Sequence, residues 1–441
     1  MRSAKDLKFD EINESYTARE AVDEAKRCLH CKNPMCVQGC PIKHNIPEWI
    51  HQLSMGNMGN AMFVINEKSN LPAVCGRVCP HEKQCEGHCI LNKKGQGIRV
   101  GKLERFIADF DGNMELIREK LVPKTRGKIA VIGSGPAGLT IAGDLSRDGF
   151  NVEIFEMEPE LGGVLMFGIP EYRLPKEVVR REIKKIAELG VTYHTNVVVG
   201  QDITVDQMFD QGFDAIFIGT GTVKPKKLRL PGSKFKGVIQ SSYFLRQVNL
   251  MNEGNIIERG DVPVKDGDRV GVIGCGNVAM DGARTAIRMG AQSVTVFYYR
   301  SVNEMSALKS EYEDAVREGV QFCWNTDVKG FTGEQDILKE VLLNREGVET
   351  SMPMDVIMMA VGSEPASRIV STTKGIDVDD KGYVLTRERA PYGMTTRKGV
   401  FAGGDVVNTP QTVVLAMRDA KMVADGIAQY VDAIKLLEDL K

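Results

Sequence analysis

Residues 128–138 read Lys128-Ile-Ala-Val-Ile-Gly133-Ser-Gly135-Pro-Ala-Gly138, an apolar strand that runs into a G-x-G-x-x-G turn. The pattern predicts a helix over 139–148 and a second strand over 151–156. In a dinucleotide-binding βαβ unit, the first glycine makes the tight turn and the second lets a pyrophosphate approach. The third glycine lets helix and strand pack, and an acid at the end of the second strand accepts from ribose hydroxyls. The sequence therefore predicts a nucleotide site that uses Gly133, Gly135, Gly138 and Glu156.

The same pattern returns at residues 269–279, where an apolar strand runs into Gly274-Cys-Gly276-Asn277-Val-Ala279. Alanine replaces the third glycine, which this fingerprint permits. A helix is predicted over 280–289 and a strand over 293–300, which ends in Tyr298-Tyr299-Arg300 instead of an acid. An arginine at that place accommodates a 2′-phosphate, so the pattern favours NADP over NAD. The alternative is an arginine stacked at the surface.

Two further segments place glycines where a ligand can approach the backbone. Gly162 and Gly163 come soon after the second strand of the first unit. A buried strand is predicted over 399–405 and ends in Gly403-Gly404-Asp405. An aspartate there can accept from a ribityl hydroxyl. The alternative is an ordinary aspartate at the end of a strand.

Eight of the ten cysteines lie between residues 28 and 89, in two groups of four. The groups read Cys28-x2-Cys31-x4-Cys36-x3-Cys40-Pro41 and Cys75-x3-Cys79-x5-Cys85-x3-Cys89. Four thiolates hold one [4Fe–4S] cluster, so eight can hold two. Zinc is one alternative, because a C-x2-C pair suits a structural zinc site. A disulfide framework is another, although nothing marks the chain as secreted.

Helices are predicted on both sides of the cysteines. Thr17-Ala-Arg-Glu20 is a capping box, and the helix that it opens delivers Cys28 and Cys31. A second helix over 98–110 carries Glu104, which either faces a cluster or is a solvated helix residue. Pro123 and Gly127 interrupt the following segment and predict a linker over 121–127.

Length and charge limit the classes of protein. A chain of 441 residues predicts two to three domains, and a net charge of −2 argues against nucleic acid as a main partner. No apolar run reaches the length of a membrane span. The residues after Met1 contain no apolar core of a signal peptide, so we expect none. Many thiols without a secretion signal predict a cytoplasmic protein.

Two dinucleotide folds behind a cysteine-rich segment resemble the small-subunit family of NADPH-dependent glutamate synthase. This family includes the large subunit of NADH-dependent ferredoxin:NADP oxidoreductase, and the N-terminal half of dihydropyrimidine dehydrogenase is a relative. The resemblance covers essentially the whole chain and is strongest over residues 28–41, 75–80, 133–138, 163–175, 274–284 and 399–405. It implies an α/β protein with two Rossmann-like domains of the adrenodoxin-reductase type, preceded by a helical iron–sulfur domain. The implied domains are a helical double [4Fe–4S] domain (1–125), an FAD domain in two parts (126–225 and 375–441) and an NADPH domain (226–374).

The resemblance also implies a set of site residues. FAD is expected on Gly133, Gly135, Gly138, Glu156, Gly163 and Asp405. NADPH is expected on Gly274, Gly276, Asn277 and Arg300. Relatives cross their cluster ligands, so one cluster is expected on Cys28, Cys31, Cys36 and Cys89. The other is then expected on Cys40, Cys79, Cys85 and Glu104. This crossed set leaves Cys75 spare, and we prefer it to two consecutive groups of four because two-cluster ferredoxins also lend a cysteine across.

The implied function is electron transfer from NADPH through FAD to two clusters and then to a partner. Hydride transfer of this kind needs no acid–base side chain, so no catalytic residue is predicted. The expected partner is a glutamate synthase large subunit, a small flavin and [2Fe–2S] subunit, or ferredoxin. Position 1 is Met1, where a glutaminase would carry its cysteine, so glutamate formation is expected on another polypeptide. The alternatives are the large subunit of the electron-bifurcating ferredoxin:NADP oxidoreductase and a non-catalytic nucleotide-binding module. Arg418 and Asp419 depart from the small residues that are usual in the family, which leaves the contacts near the flavin open.

Overall fold

The computed structural model describes residues 8–254, 257–410 and 412–440. Residues 1–6, on which the expectation about a signal peptide depends, lie outside the described residues. The helices in chain order are α1 (Ala18–Lys26), α2 (Met35–Gly39), α3 (Ile46–Ser54), α4 (Met58–Asn66), α5 (Pro72–Val78), α6 (Val100–Met114), α7 (Pro136–Arg147), α8 (Val164–Phe167), α9 (Lys176–Glu188), α10 (Val205–Asp210), α11 (Ser241–Asn252), α12 (Asn277–Arg288), α13 (Lys309–Arg317), α14 (Arg368–Thr372) and α15 (Val413–Asp439). In this part of the chain, none of the helices combines the length and the apolar character that crossing a bilayer requires.

The strands lie in four sheets. Short 3-10 turns interrupt the loops at His81–Lys83, Ile90–Lys93, Val302–Glu304 and Gly404–Val406. The strands in chain order are β1 (Gly127–Ile132), β2 (Phe150–Phe155), β3 (Thr192–His194), β4 (Ala215–Ile218), β5 (Lys224–Pro225), β6 (Val238–Gln240), β7 (Arg269–Ile273), β8 (Ser293–Phe297), β9 (Gln321–Cys323), β10 (Thr326–Glu334), β11 (Ile337–Arg345), β12 (Val348–Pro353), β13 (Val356–Met359), β14 (Ser363–Glu364) and β15 (Val400–Ala402). β14 and β5 form a two-stranded sheet.

The chain divides into two compact units. The large unit holds the described residues of Asn13–Met166, Lys176–Lys224 and Glu364–Lys441. The small unit holds those of Met1–Ile12, Phe167–Pro175 and Pro225–Ser363. The domain boundaries that the resemblance implied stay predictions.

Helices α1 to α6 open the large unit and surround the cysteine-rich segment. The predicted capping box is present, since Thr17 Oγ1 accepts from Glu20 N at 3.3 Å and Glu20 Oε2 accepts from Thr17 N at 2.8 Å. Trp49, Ile50 and Leu53 are buried in the centre of these helices. The packing fixes the loops between the helices, and these loops carry most of the cysteines.

A parallel five-stranded sheet forms the second part of the large unit, in the order β15-β4-β1-β2-β3. The carboxyl ends of parallel strands meet at one edge of a sheet, which is where ligands bind in such folds. Gly133 follows β1, Glu156 follows β2, and Asp405 lies in the 3-10 turn after β15. The sheet therefore brings the predicted residues of the first nucleotide site to one edge.

The small unit contains a second parallel sheet, in the order β6-β13-β7-β8-β9, with Gly274 directly after β7. The predicted pair of Rossmann-like folds is therefore confirmed. The unit also contains an antiparallel sheet, β10-β11-β12, which no pattern in the sequence predicted. Its pairing shifts register near Gly330 and Gly333, so the apolar residues do not alternate regularly along the strands.

The third glycine of the first turn allows a prediction about packing. A Cβ on Gly138 would lie 1.9 Å from the carbonyl oxygen of Gly133, so Gly138→Ala is expected to lower the free energy of unfolding by about 3 kcal/mol. Gly59, in the first turn of α4, is the matched control because a Cβ there meets no described atom within 4 Å. Gly59→Ala is expected to stabilise the protein by roughly 0.8 kcal/mol, since alanine favours helices. Denaturant unfolding measures the free energy of unfolding of each variant. If both substitutions changed that free energy in the same direction, close packing at Gly138 would not explain its effect.

Candidate cluster cages and nucleotide sites

Four of the predicted ligands line one cavity, which we call the first cage: Cys28, Cys31, Cys36 and Cys89. Three of them come from the first cysteine group and one from the second. Cys40, the fourth member of the first group, does not line this cavity. Burial raises the pKa of the Cys28 thiol, and it raises that of Cys36 to about 11. Without metal these thiols are therefore neutral, and binding of a cluster would displace their protons.

A second cavity, which we call the second cage, is lined by the remaining predicted ligands: Cys40, Cys79, Cys85 and Glu104. Cys75, His44, His81 and Val414 also face it. Ile46 and Val100 line both cages, so the two cavities are neighbours across these two side chains. The predicted donors of each cluster thus line one cavity each, and the ligand sets themselves stay predictions because Cys75 lines the second cage beside Glu104.

The surroundings of Glu104 indicate whether the second cage fits a cluster. Its side chain is buried, and its Oε1 atom has no hydrogen-bond partner among the described residues. His44 Nδ1 lies 3.7 Å from Oε1. Burial, together with the charge of Glu182, raises the pKa of Glu104 to about 8. An unpaired carboxyl group in the interior costs free energy that a bound iron would offset, so Glu104 fits the role of a ligand.

Cys75 is the fifth thiol or carboxylate donor in the second cage. It is buried, and its sulfur lies 3.6 Å from Met417 Sδ and 4.0 Å from Ser69 Oγ. A hydrogen bond with Cys75, together with burial, raises the pKa of Cys79. A second sulfur and a hydroxyl outside the cage therefore already contact the Cys75 thiol, whereas Oε1 of Glu104 receives no hydrogen bond within the described chain.

The spacing of the donors bears on the choice between a cluster and zinc. Within the described ranges, no three Cys, His, Asp or Glu side chains are grouped as a single metal ion requires. The donors instead surround two cavities. A polynuclear cluster, whose ligands each bind a different iron, matches that arrangement better than a tetrahedral zinc site.

The first nucleotide site lies where β1 meets α7. Gly133 has φ +95° and Gly163 has φ +53°, conformations that favour glycine. Gly135 is extended (φ −69°, ψ −175°), and a Cβ there would meet no described atom within 4 Å. The space beside Gly135 is therefore open, at the N-terminus of a helix that attracts a phosphate group.

Ser134, which the sequence patterns did not single out, organises this site. Its backbone N donates to Glu156 Oε2 at 2.9 Å and its hydroxyl donates to the same oxygen at 2.5 Å. Gly162 N donates to Ser134 Oγ at 3.0 Å, so Ser134 joins the glycine turn, the acid and the loop before Gly163. Glu156 Oε1 accepts from Glu158 N at 3.0 Å. Each carboxylate oxygen has two lone pairs, so Glu156 can still accept from a ribose.

The two charged residues that depart from the family pattern lie in α15. Asp419 is buried, and it accepts from Arg418 Nη2 at 2.7 Å and from Asn408 Nδ2 at 2.7 Å. These bonds compensate the charge of Asp419 within the protein itself.

The second nucleotide site lies in the small unit. Gly274 has φ +115°, and a Cβ there would lie 2.4 Å from the carbonyl oxygen of Ala360. Asn277 Oδ1 accepts from Leu308 N at 3.3 Å, so this side chain fixes the loop before α13 to the glycine turn. The strand predicted to reach Arg300 ends at Phe297. Arg300 is exposed, and its guanidinium carbon lies 5.0 Å from the centroid of the Tyr299 ring.

Comparisons with known proteins agree with an iron–sulfur segment followed by a nucleotide-binding fold. Residues 5–116 match the family model "dihydropyrimidine dehydrogenase domain II, 4Fe-4S cluster", and residues 127–420 match the model "pyridine nucleotide-disulphide oxidoreductase". The chain is 36% identical to the glutamate synthase [NADPH] small chain of Halomonas elongata, over 96% of this chain and 93% of that protein. It is 33% identical to the protein of the same name from Escherichia coli, over 97% and 94% of the two chains. FprA of Mycobacterium tuberculosis in complex with NADPH has a similar fold (TM-score 0.56, 19% identity, 71% of this chain and 86% of that one).

Proposed function

This chain belongs to the glutamate synthase [NADPH] small-chain family, and we propose that it passes electrons from NADPH through FAD to two [4Fe–4S] clusters and on to a partner protein. The chain is an NAD(P)H-dependent flavin and iron–sulfur oxidoreductase by family. When bound, NADPH supplies a hydride, FAD splits the electron pair, and the clusters carry single electrons. The protein supplies the binding sites and their order.

The single observation that carries the proposal is that the eight predicted ligands line two neighbouring cavities in the large unit. The first cage would hold one cluster on Cys28, Cys31, Cys36 and Cys89. The second cage would hold the other on Cys40, Cys79, Cys85 and Glu104. Val414 of α15 also lines the second cage. Ala416, two residues further along the same helix, lies near the glycine turn that precedes Asp405, since a Cβ placed on Gly404 would be 3.6 Å from Ala416 Cβ. This contact supports an order in which the second cage is nearer to the first nucleotide site.

The two nucleotide sites have different tasks in this proposal. FAD would bind at the edge of the first parallel sheet, on Gly133, Gly135, Gly138, Glu156, Gly163 and Asp405. NADPH would bind in the small unit, on Gly274, Gly276, Asn277 and Arg300. In both folds the helix after the glycine turn, α7 or α12, would direct its N-terminus toward a pyrophosphate. No side chain is assigned as a catalytic acid or base.

A second polypeptide would complete the reaction. Relatives are named as the small chains of glutamate synthase, and one is named as the beta subunit of an NADP(+)-dependent formate dehydrogenase. These names support a partner subunit for this chain.

Dye reduction tests whether the protein transfers electrons. We expect anaerobically purified protein to reduce a small one-electron dye at the expense of NADPH. Gly276→Val, which would block the second nucleotide site, is the control and is expected to lose this rate. A protein that binds FAD and iron but shows no rate with either NADPH or NADH would be a non-catalytic module, and the proposal would be wrong.

Arg300 allows a prediction about cofactor preference. Arg300→Ala is expected to weaken the binding of NADPH by roughly 30-fold, because a hydrogen bond between two charged groups contributes about 2 kcal/mol. NADH lacks the 2′-phosphate, so its binding is expected to stay unchanged. Arg317→Ala, which removes an exposed arginine on α13 in the same unit, is the matched control. If titrations showed that Arg300→Ala loses affinity equally for NADPH and NADH, Arg300 would not bind the 2′-phosphate.

A further inference from the structure

The second cage contains buried polar atoms that the protein itself does not satisfy. Among the described residues, three atoms of its lining side chains have no hydrogen-bond partner: Glu104 Oε1, His44 Nε2 and His81 Nε2. The first cage differs, since none of the described side chains that line it carries such an atom. A buried polar atom without a partner costs free energy, and a bound ion or a redox role is one reason for a protein to keep it.

His44 contacts the second cage at two points. It lies in the loop that joins α2 to α3, where Lys43 has φ +54° and donates from its N to Cys40 O at 3.0 Å. The backbone N–H of His44 donates to the thiol of Cys40, although burial still raises the pKa of that thiol to about 11. The side chain of His44 is 2% exposed, and its Nδ1 lies 3.7 Å from Glu104 Oε1. The backbone and the ring of His44 therefore approach two different predicted ligands.

The neighbours of the His44 ring limit where its proton can lie. Burial lowers the pKa of His44 to about 4, so the ring is neutral, with one N–H and one acceptor nitrogen. Glu104 lies beside Nδ1, and the backbone carbonyl of Ile65 is a second acceptor near the ring. Trp49 is buried beside the ring, with 5.9 Å between the two centroids, and restricts its rotation. The proton of His44 can therefore face a carboxyl group or a carbonyl.

We propose that His44 is a positioning residue for the second cluster, and that its Nδ1–H donates to Glu104 Oε1 when the other oxygen of Glu104 binds iron. The inference rests on the proposed function, because it needs a cluster in the second cage. The distance of 3.7 Å is longer than a hydrogen bond, and rotation of the terminal carboxyl group, whose last torsion is soft, shortens it. A carboxylate that is held in this way presents one fixed oxygen to the metal.

This hydrogen bond would affect the reduction potential of one cluster. Reduction adds negative charge to a cluster, and a donor to one of its ligands stabilises that charge, so the donor raises the potential. His44→Leu removes the donor, and we expect the potential of the second cluster to fall while that of the first stays unchanged. Partners of metal ligands typically contribute 10- to 100-fold to metal affinity, so we also expect a chelator to remove iron from the second cluster roughly 10-fold faster.

Two further substitutions distinguish the two ring nitrogens. The amide nitrogen of asparagine can occupy about the position of Nδ1, and that of glutamine about the position of Nε2. His44→Asn is therefore expected to keep the potential near that of wild type, whereas His44→Gln is expected to behave like His44→Leu. Rescue by His44→Gln alone would place the important proton on Nε2 and would overturn the proposal. This comparison decides even if His44→Leu does not fold.

A redox titration followed by EPR on anaerobically purified, full-length protein is the measurement, because it reports the potential of each cluster without turnover. Glu104→Cys replaces the carboxylate by a thiolate, so His44→Leu is expected to shift the potential much less in that background. His88→Leu is the matched control, since it removes a histidine that lines the first cage. It is expected to leave the potential of the second cluster unchanged.

Three results would overturn the proposal. An equal shift from His44→Leu with and without Glu104→Cys would show that the effect does not pass through Glu104. A shift of the same size in His88→Leu would show that the potential responds to the loss of any nearby histidine. A His44→Leu protein whose second cluster keeps the wild-type potential and the wild-type rate of iron loss would show that His44 has no role there. Wild-type protein with only one cluster signal would instead contradict the proposed function.

Discussion

Gly135→Val is expected to yield protein that folds but does not retain flavin. The extended backbone of Gly135 accepts any residue, and a Cβ there would meet no described atom within 4 Å. The added side chain would therefore fill only the space through which a pyrophosphate approaches the helix. We expect the affinity for FAD to fall at least 100-fold, which is about 2.7 kcal/mol. Absorbance at flavin wavelengths measures how much FAD the variant retains, and circular dichroism of the same sample shows whether it is folded.

Gly276→Val is the matched control, because Gly276 occupies the same place in the second fold. Its backbone is also extended (φ −103°, ψ −178°), and a Cβ would have Ser306 Oγ as its nearest neighbour, at 3.3 Å. This variant is expected to keep its flavin and to lose the binding of NADPH. Fully loaded, yellow Gly135→Val protein would refute the assignment of FAD to the first fold. Loss of flavin in both variants would point to a general effect of valine at these turns.

Glu104→Ala is expected to change one cluster and leave the other intact. Removing this carboxyl group takes away the buried donor in the second cage whose Oε1 atom no described residue bonds. The first cage keeps all of its donors, so we expect its cluster to keep its EPR signal. The signal of the second cluster is expected to shift or disappear, with the loss of about one to four iron atoms per chain. EPR of the reduced protein and iron analysis are the measurements.

Cys75→Ala is the control for this experiment, because Cys75 lines the same cage and contacts Met417. If Cys75 is spare, this variant keeps the iron content and both EPR signals. The opposite pattern, with clusters unchanged in Glu104→Ala and altered in Cys75→Ala, would return the fourth ligand to Cys75. Glu104→Gln adds a further comparison, since it preserves the shape but removes the charge that binds iron.

The glycine turns and the parallel sheets could be predicted because their signals are local. Gly133 and Gly138 lie within one turn, and their spacing reflects contacts between neighbouring elements. The grouping of the cysteines is different. Spacing alone suggests two consecutive groups, but the packing of the helices places Cys89 beside Cys28 and places Cys40 beside Cys85. That arrangement followed from the resemblance to a family and not from the spacing.

The local sequence motifs did not predict three other features of the structure. His44 comes close to Glu104 only when the loop before α3 lies against α6, because 60 positions separate the two residues (104 − 44). Ser134 could have been noticed as the polar residue between two glycines, since its hydroxyl meets the predicted acid Glu156. The β10-β11-β12 sheet was missed because its bulges interrupt the alternation of side chains.

The composition of freshly purified, oxygen-protected protein shows whether one chain holds a flavin and two metal–sulfur clusters. Iron, acid-labile sulfide, zinc and FAD should be measured on the same sample. We expect about eight iron atoms and about eight sulfides per chain, with roughly one FAD and no stoichiometric zinc. Colourless protein that contains zinc in place of iron would show that neither the flavin nor the two clusters is present.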